Sequence, residues 1–263
     1  MTLPHRVALL GVPLSATSYA EVLDLLDVPP TGDRARTLAF CNVHSVMTAR
    51  KDPELRRALA DIDVTTTDGM PLVWALRRLG VSEQQRVYGP DLMEMALPHS
   101  VDRGWRHYFY GAAPETLEAL LSRVEAMAPG IEIVGSHSPP YRTLTADEEA
   151  ERLEEIRRSG ATHVWVGLGM PKQELFVHRV ADRLPGMSLL AVGAAFDMHA
   201  GTVSQAPDWI QDRGLEWAYR WAQEPRRLTS RYMVNNPLFL LLLGRELLLD
   251  RIGTRTAGPG AAG

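Results

Sequence analysis

Cysteine occurs once in the 263 residues, at Cys41, which excludes an internal disulfide and suits a reducing compartment. Long apolar runs are also lacking: no stretch reaches the ~18 uninterrupted apolar residues of a membrane span. The opening residues 1–12 have too short an apolar run, and too little charge ahead of it, for a secretory signal. Positive charge is not in excess. A formal net charge of −4 argues against a general nucleic-acid binder. Several fingerprints are missing too. Gly11 leads into Val12-Pro13-Leu14, and Gly167-Leu168-Gly169 lacks a third glycine, so neither makes the G-x-G-x-x-G of a dinucleotide enzyme. There is no phosphate-binding G-x-x-x-x-G-K-[ST] and no G-x-S-x-G elbow. The eight histidines show no metal-ligand spacing with the lone cysteine, so neither a metal nor another cofactor is expected.

The composition is otherwise that of a soluble globular protein, 45% hydrophobic and 23% charged. The length suits one large α/β domain, alone or with an appendage. Apolar, β-prone runs at residues 7–12, 38–41, 63–67, 107–110, 131–134, 163–166 and up to 192 read as strands. Helix starts fall between them. Ser18 with Glu21 and Thr145 with Glu148 form capping boxes, and Asp52-Pro53 caps a third helix. This alternation predicts a doubly wound, mostly parallel, Rossmann-like sheet with a C-terminal helical appendage.

The chain is organised around residues 162–174, THVWVGLGMPKQE. A buried strand breaks at Gly167 and Gly169, and Pro171 sets up a helix that Lys172, Gln173 and Glu174 should open. Asn42, Asp68, Gly111, the 167–173 turn and residues 193–197 likewise follow strand ends. In a parallel sheet those ends share one edge, where open α/β sheets bind ligands. Asp68 has two readings: a carboxylate placed to take a proton from a substrate hydroxyl, or an N-cap for the helix near Pro71. An ordinary carboxylate pKa near 4 would keep it ionised at pH 7. Asp61-Ile62-Asp63 matches a metal-binding D-x-D, but it precedes its strand and reads as a helix-to-strand turn.

The ordered set of Asn42, Thr67-Asp68-Gly69, Arg86-Val87-Tyr88-Gly89-Pro90-Asp91-Leu92, the 166–174 turn, Val192 to Asp197, and Leu215-Glu216-Trp217-Ala218-Tyr219-Arg220 resembles the WecG/TagA/CpsF family of bacterial glycosyltransferases. The likeness continues through Glu224-Pro225-Arg226-Arg227 and Arg231-Tyr232. It implies a metal-independent, inverting transfer of a sugar from a UDP-sugar to a lipid-linked sugar acceptor at the cytoplasmic membrane surface. The protein would then be cytoplasmic and peripheral on the inner face of the membrane. The resemblance makes Asp68 the general base and puts Asn42 and Gln173 in the donor pocket; Gly111, Gly169 and Asp197, at the same edge, are further donor-binding candidates. Two departures stand out: Phe40 where the family often has Thr, removing a hydroxyl expected in the pocket, and Gln205 in place of Arg before Ala206-Pro207.

The expected organisation is an α/β domain over residues 1–206, an Arg-rich and apolar appendage over 207–252, and a disordered tail over 253–263. Arg220, Arg227 and Arg231 are candidates for the donor diphosphate or acceptor. A run of charge is otherwise a solvated face. Residues 237–249, PLFLLLLGRELLL, are too short to span a bilayer but apolar enough to lie in its surface. The alternatives for that helix are core packing or a homo-oligomer interface.

Overall fold

A computed structural model describes residues 2–211 and 213–256, without the side chains of Asp208, Arg227, Ser230, Arg231 and residues 249–256. In chain order its elements are β1 (Arg6–Leu9), β2 (Val12–Ser15), α1 (Tyr19–Asp27), β3 (Arg36–Cys41), α2 (Val43–Ala49), α3 (Pro53–Asp61) and β4 (Val64–Thr67). Next come α4 (Met70–Arg78), α5 (Gly89–Ser100), β5 (Arg106–Gly111), α6 (Pro114–Met127), β6 (Glu132–His137) and α7 (Ala146–Ser159). The chain continues through β7 (His163–Gly167), α8 (Lys172–Val180), β8 (Ser188–Ala191), α9 (Ala195–Ala200), α10 (Asp208–Gln211), α11 (Glu216–Gln223) and α12 (Pro225–Thr256).

Six strands form a sheet in the order β4-β3-β8-β7-β5-β6, and every pairing in it is parallel. Its faces separate by the two-residue period of a strand. Ala39, Cys41, Tyr108, Tyr110, Val164 and Val166 point into a layer with α2, α3, α4, α7, α8 and α12. Leu38, Phe40, Phe109 and Trp165 point into the opposite layer with α1, α5, α6 and α9. The doubly wound expectation holds.

The expected strand at residues 7–12 is instead a hairpin. Leu10 and Gly11 both have positive φ, 51° and 83°, which is the backbone of a two-residue turn whose twist suits antiparallel strands. The hairpin covers the outer edge of β4, where Ser15 Oγ accepts from the Thr65 N–H at 3.1 Å. Further along that edge the Val87 N–H donates to the Thr67 carbonyl at 3.0 Å. Both contacts occupy backbone groups that an edge strand would otherwise leave open to pairing.

Local signals set most helix ends. The Ser18–Glu21 and Thr145–Glu148 capping boxes form, and Gly160 closes α7 in the left-handed conformation. α8 begins at Lys172 directly after Pro171, and the Met170–Pro171 peptide is cis. The apolar stretch at 237–249 is not a separate helix. It belongs to α12, which starts at Pro225 and continues through Pro237. Phe239 of α12 is fully buried in the layer where α12 packs on α2, and Leu238, Leu242 and Leu243 pack against the same cluster. Residues 253–256 continue this helix, whereas 257–263 of the expected tail lie outside the described residues. Among the described residues no helix is long and apolar enough to cross a membrane.

Candidate active site

The carboxyl edge of the sheet carries two hollows. The first lies over β3 and β4. Its floor is Asn42, Val43, His44, Asp68, Gly69 and Met70, with Arg86 and Tyr88 at one side; Glu216, Trp217, Arg220, Tyr232 and Asn236 close it from above. Asp68 leaves β4 with its N–H bonded to the Cys41 carbonyl at 2.8 Å. The helix-cap reading of Asp68 does not hold: the N-cap of α4 is Gly69, and no side chain caps that helix. The residue that does cap a helix is Asn42. Its Oδ1 accepts from the His44 and Ser45 N–H groups at 3.0 and 3.3 Å, opening α2, a helix not among those expected from the sequence. With Oδ1 committed to the cap, the amide N–H groups are what Asn42 can offer the hollow.

Arg86 arrives because the segment before α5 is bound to the end of β4. Thr67 Oγ1 donates to the Gln85 carbonyl at 2.9 Å and receives Gln84 Nε2 at 3.0 Å. From there Arg86 Nε donates to the Asp68 carbonyl at 2.7 Å, Nη1 to Gln211 at 2.6 Å and Nη2 to Glu216 at 2.7 Å. The guanidinium also lies 4.0 Å from the centre of the Tyr88 ring, and the Tyr88 hydroxyl donates to the other Glu216 oxygen at 2.7 Å. One arginine thus ties the sheet edge to α10 and α11.

Electrostatics alter Asp68. Desolvation, then the Glu216 charge, push its carboxyl up to about 7, against the pull of Arg86 and Arg220. The expectation of a fully ionised carboxylate at pH 7 is corrected by this. A carboxylate of that basicity is better matched to proton transfer near neutrality than one at 4. Burial and the same Glu216 charge raise Tyr88, which stays a hydroxyl donor.

The second hollow lies over β5 and β7, walled by Tyr110, Ala112, Tyr141, Arg142, Gly167, Leu168, Lys172 and Phe176. Gly111 is required where it stands, because a Cβ there would run into the Gly167 backbone and its φ is 129°. Tyr110 stacks on Phe176 with ring centres 4.8 Å apart.

Not every expected site residue reaches these hollows. Gln173 sits in the first turn of α8 as expected, but it is buried and its amide is used internally. Oε1 accepts from the Gly169 N–H at 3.0 Å, and Nε2 donates to the Ala191 carbonyl at 2.9 Å and to Glu174 at 3.0 Å. It lines neither hollow, so the shared cavity with Asn42 and Asp68 does not extend to it. Gly169, exposed in the turn after β7, and Asp197 in α9 also line neither hollow; the Asp197 carbonyl accepts from the Thr202 and Val203 N–H groups. Phe40 is in the core under α5, its ring facing Gly89, and takes no part in the pocket wall. Gln205 donates to Asp91 at 2.9 Å. Arg220 lines the first hollow, and its buried Nε has no hydrogen-bond partner among the described residues. Arg227 and Arg231 fall on α12, but their side chains lie outside the described residues. Asp61 and Asp63 lie at the amino end of β4, where Asp63 accepts from Thr37, so they form the expected helix-to-strand turn.

Arg86, Tyr88, Glu216 and His44 were not singled out from sequence as site residues. The first three stand within recognised stretches, and the missing signal was spatial: Glu216 faces Arg86 across 130 residues of chain.

Open α/β sheets of this class bind ligands at the carboxyl edge, and here that edge carries a carboxylate and two arginines. The model of the glycosyl transferase WecG/TagA/CpsF family matches residues 7–252, and the chain belongs to that family of glycosyltransferases. It is also 31% identical over 179 residues, 68% of each chain, to the N-acetylglucosaminyldiphosphoundecaprenol N-acetyl-beta-D-mannosaminyltransferase of Bacillus spizizenii.

Proposed function

We propose that this glycosyltransferase moves a sugar, of N-acetylmannosamine type or another hexose, from a UDP-sugar to a polyprenyl-diphosphate-linked sugar in cell-surface polysaccharide synthesis. The observation that carries this reading is the first hollow, where a carboxylate of raised basicity stands beside two arginines at a strand end. The relative's name supplies the class of acceptor and the class of sugar.

In this reading the acceptor hydroxyl attacks the anomeric carbon from the face opposite the leaving UDP, so the configuration inverts. Asp68 takes the hydroxyl proton, a contribution typically worth ~10²–10⁴ in rate. The new C–O bond forms as the bond to the β-phosphate oxygen breaks, and charge grows on the diphosphate. Arg220, whose guanidinium is not fully committed, offsets that charge, helped by Arg227 and Arg231; no metal is needed. Asn42 faces the donor from the first hollow. Lys172 at the N-terminus of α8 lines the second, which suits the nucleotide by its aromatic wall and positive charge, and Gly111 stands in the chain between two of its wall residues, Tyr110 and Ala112. Gln173 holds the edge in shape through its bonds to the Gly169 N–H and the Ala191 carbonyl.

The segment from residue 207 onward acts as an appendage that completes the site and rests on the inner face of the membrane. Leu240 and Leu241 are 64% and 70% exposed while their neighbours Phe239 and Leu242 face the core, so α12 presents an apolar outer stripe.

The test is UDP release from a panel of UDP-sugars with a polyprenyl-diphosphate-linked acceptor. Transfer that falls at least ~10²-fold in Asp68→Asn, with UDP binding unchanged by calorimetry, is the expected result. UDP binding without turnover in the unaltered protein would make it a nucleotide-sugar binder instead.

A further inference from the structure

Glu216 has a geometry that neither the transfer chemistry nor the family assignment accounts for. It comes from α11, the first long helix after the α/β body. Both carboxylate oxygens are used, and both by groups of that body: Arg86 Nη2 at 2.7 Å and the Tyr88 hydroxyl at 2.7 Å. Arg86 in turn holds the carbonyl of Asp68 itself. The pair is well shielded, with side-chain exposures of 13% for Arg86 and 18% for Glu216, so its field is only weakly damped by water. Trp217 and Arg220 follow on the same helix and line the hollow with it.

We propose that Glu216 is a positioning residue for the catalytic carboxylate: it locks Arg86 and Tyr88 against the strand end that carries Asp68 and sets its negative charge against the Asp68 carboxylate. The proposal rests on the reading of Asp68 as the base. The groups facing Asp68 are Cys41 from β3, His44 from α2, Arg86 and Tyr88 from the segment entering α5, Asp91 from α5, Glu216 and Arg220 from α11, and Tyr232 from α12. Among them Glu216 is the largest source of negative charge on Asp68, and the two arginines oppose it.

The test compares the full-length protein with Glu216→Gln, which keeps the side chain's size and one acceptor oxygen but removes the charge. Two readouts are taken. Titration of Asp68 is followed by carboxyl ¹³C NMR, with the signal assigned by its loss in Asp68→Asn, and the pH profile of kcat/KM is measured alongside. Glu216→Gln should move both the Asp68 titration and the acid limb of the profile to lower pH by about one pH unit. It should lower kcat/KM at least tenfold on the alkaline plateau, as Arg86 loses its charge partner. Tyr88→Phe, which leaves the charge in place, should not shift the titration downward. An Asp68 titration that stays put in folded Glu216→Gln overturns the proposal, whatever happens to the rate. Should the protein transfer no sugar at all, the reading of its function fails, while the NMR titration still decides the role of Glu216.

Discussion

The N–H of Leu10 donates to the carboxylate of Glu246, with distances of 3.2 and 3.0 Å to its two oxygens. The contact joins the tip of the first hairpin to α12 near the other end of the chain, 236 residues away. Hydrogen bonds to charged groups are worth more than neutral ones, so this bond should anchor the distal part of α12. Glu246→Ala should lower unfolding stability by about 2 kcal/mol in urea titrations. An unchanged midpoint would mean that the helix end is held by its leucines alone.

Asp68 should also govern the pH dependence of transfer. Its active form is the carboxylate, and its titration is raised to about 7, so kcat/KM should fall tenfold per unit as pH drops below that value. A profile flat down to pH 5 would separate Asp68 from the proton transfer. Activity should meanwhile survive EDTA; loss on chelation with recovery on adding Mg²⁺ or Mn²⁺ would show that arginines do not suffice for the diphosphate.

Stability should carry opposite signatures from two buried clusters. Glu174 is pushed up to about 7 by burial, and one of its oxygens has no partner. A carboxyl whose folded pKa is raised stabilises below the unfolded value and loses that contribution as pH rises through about 7. Glu174→Gln should therefore leave the urea midpoint nearly unchanged at pH 5 and raise it at pH 8. His107 and His163 are held neutral by burial, lowered to about 4 and 3. Trp165 donates to His107 at 2.9 Å, and Trp105 stacks on His163. Lowered histidines cost stability as pH falls below their unfolded value near 6.5, so acid unfolding should begin on that limb. A His107→Phe variant with an unchanged acid midpoint would remove this cause.

Truncation after Ala206 should abolish binding to anionic liposomes and most transfer. It should also cost stability, because loss of Phe239 leaves a gap in the layer where α12 packs on α2, and burial of such a ring is worth roughly 1.5–3 kcal/mol. If the exposed leucines instead serve a second copy of the chain, sedimentation will show a dimer that Leu240→Lys and Leu241→Lys dissolve. A truncated protein that pellets with liposomes and transfers normally would reduce the segment to packing.

What could be read from sequence divides along the range of the forces involved. Capping boxes, the Pro171 start and the alternation of strands act within a few residues, and they led to the right sheet class. The hairpin was missed because Leu10 takes a positive φ that a β-prone run does not advertise. Asn42 looked like a pocket residue and is a cap as well, since the short α2 has little apolar pattern to announce it. Gln173 was placed in the right turn, but the direction of its amide depends on the carbonyl of Ala191 on a neighbouring strand. Arg86 and Glu216 find each other only through the tertiary fold.

The strand order also bears on how the chain is made. β8 pairs with β3 and β7, so the middle of the sheet is occupied by the last strand to be synthesised. Until residue 191 is available, the earlier strands can form only separate half-sheets, β4 with β3 and β7 with β5 and β6, each with an open, apolar edge. Such edges invite mispairing, and closing so long a loop is slow. On the ribosome, the nascent chain is therefore most exposed to aggregation just before Ser188 to Ala191 emerges and zips the two halves together.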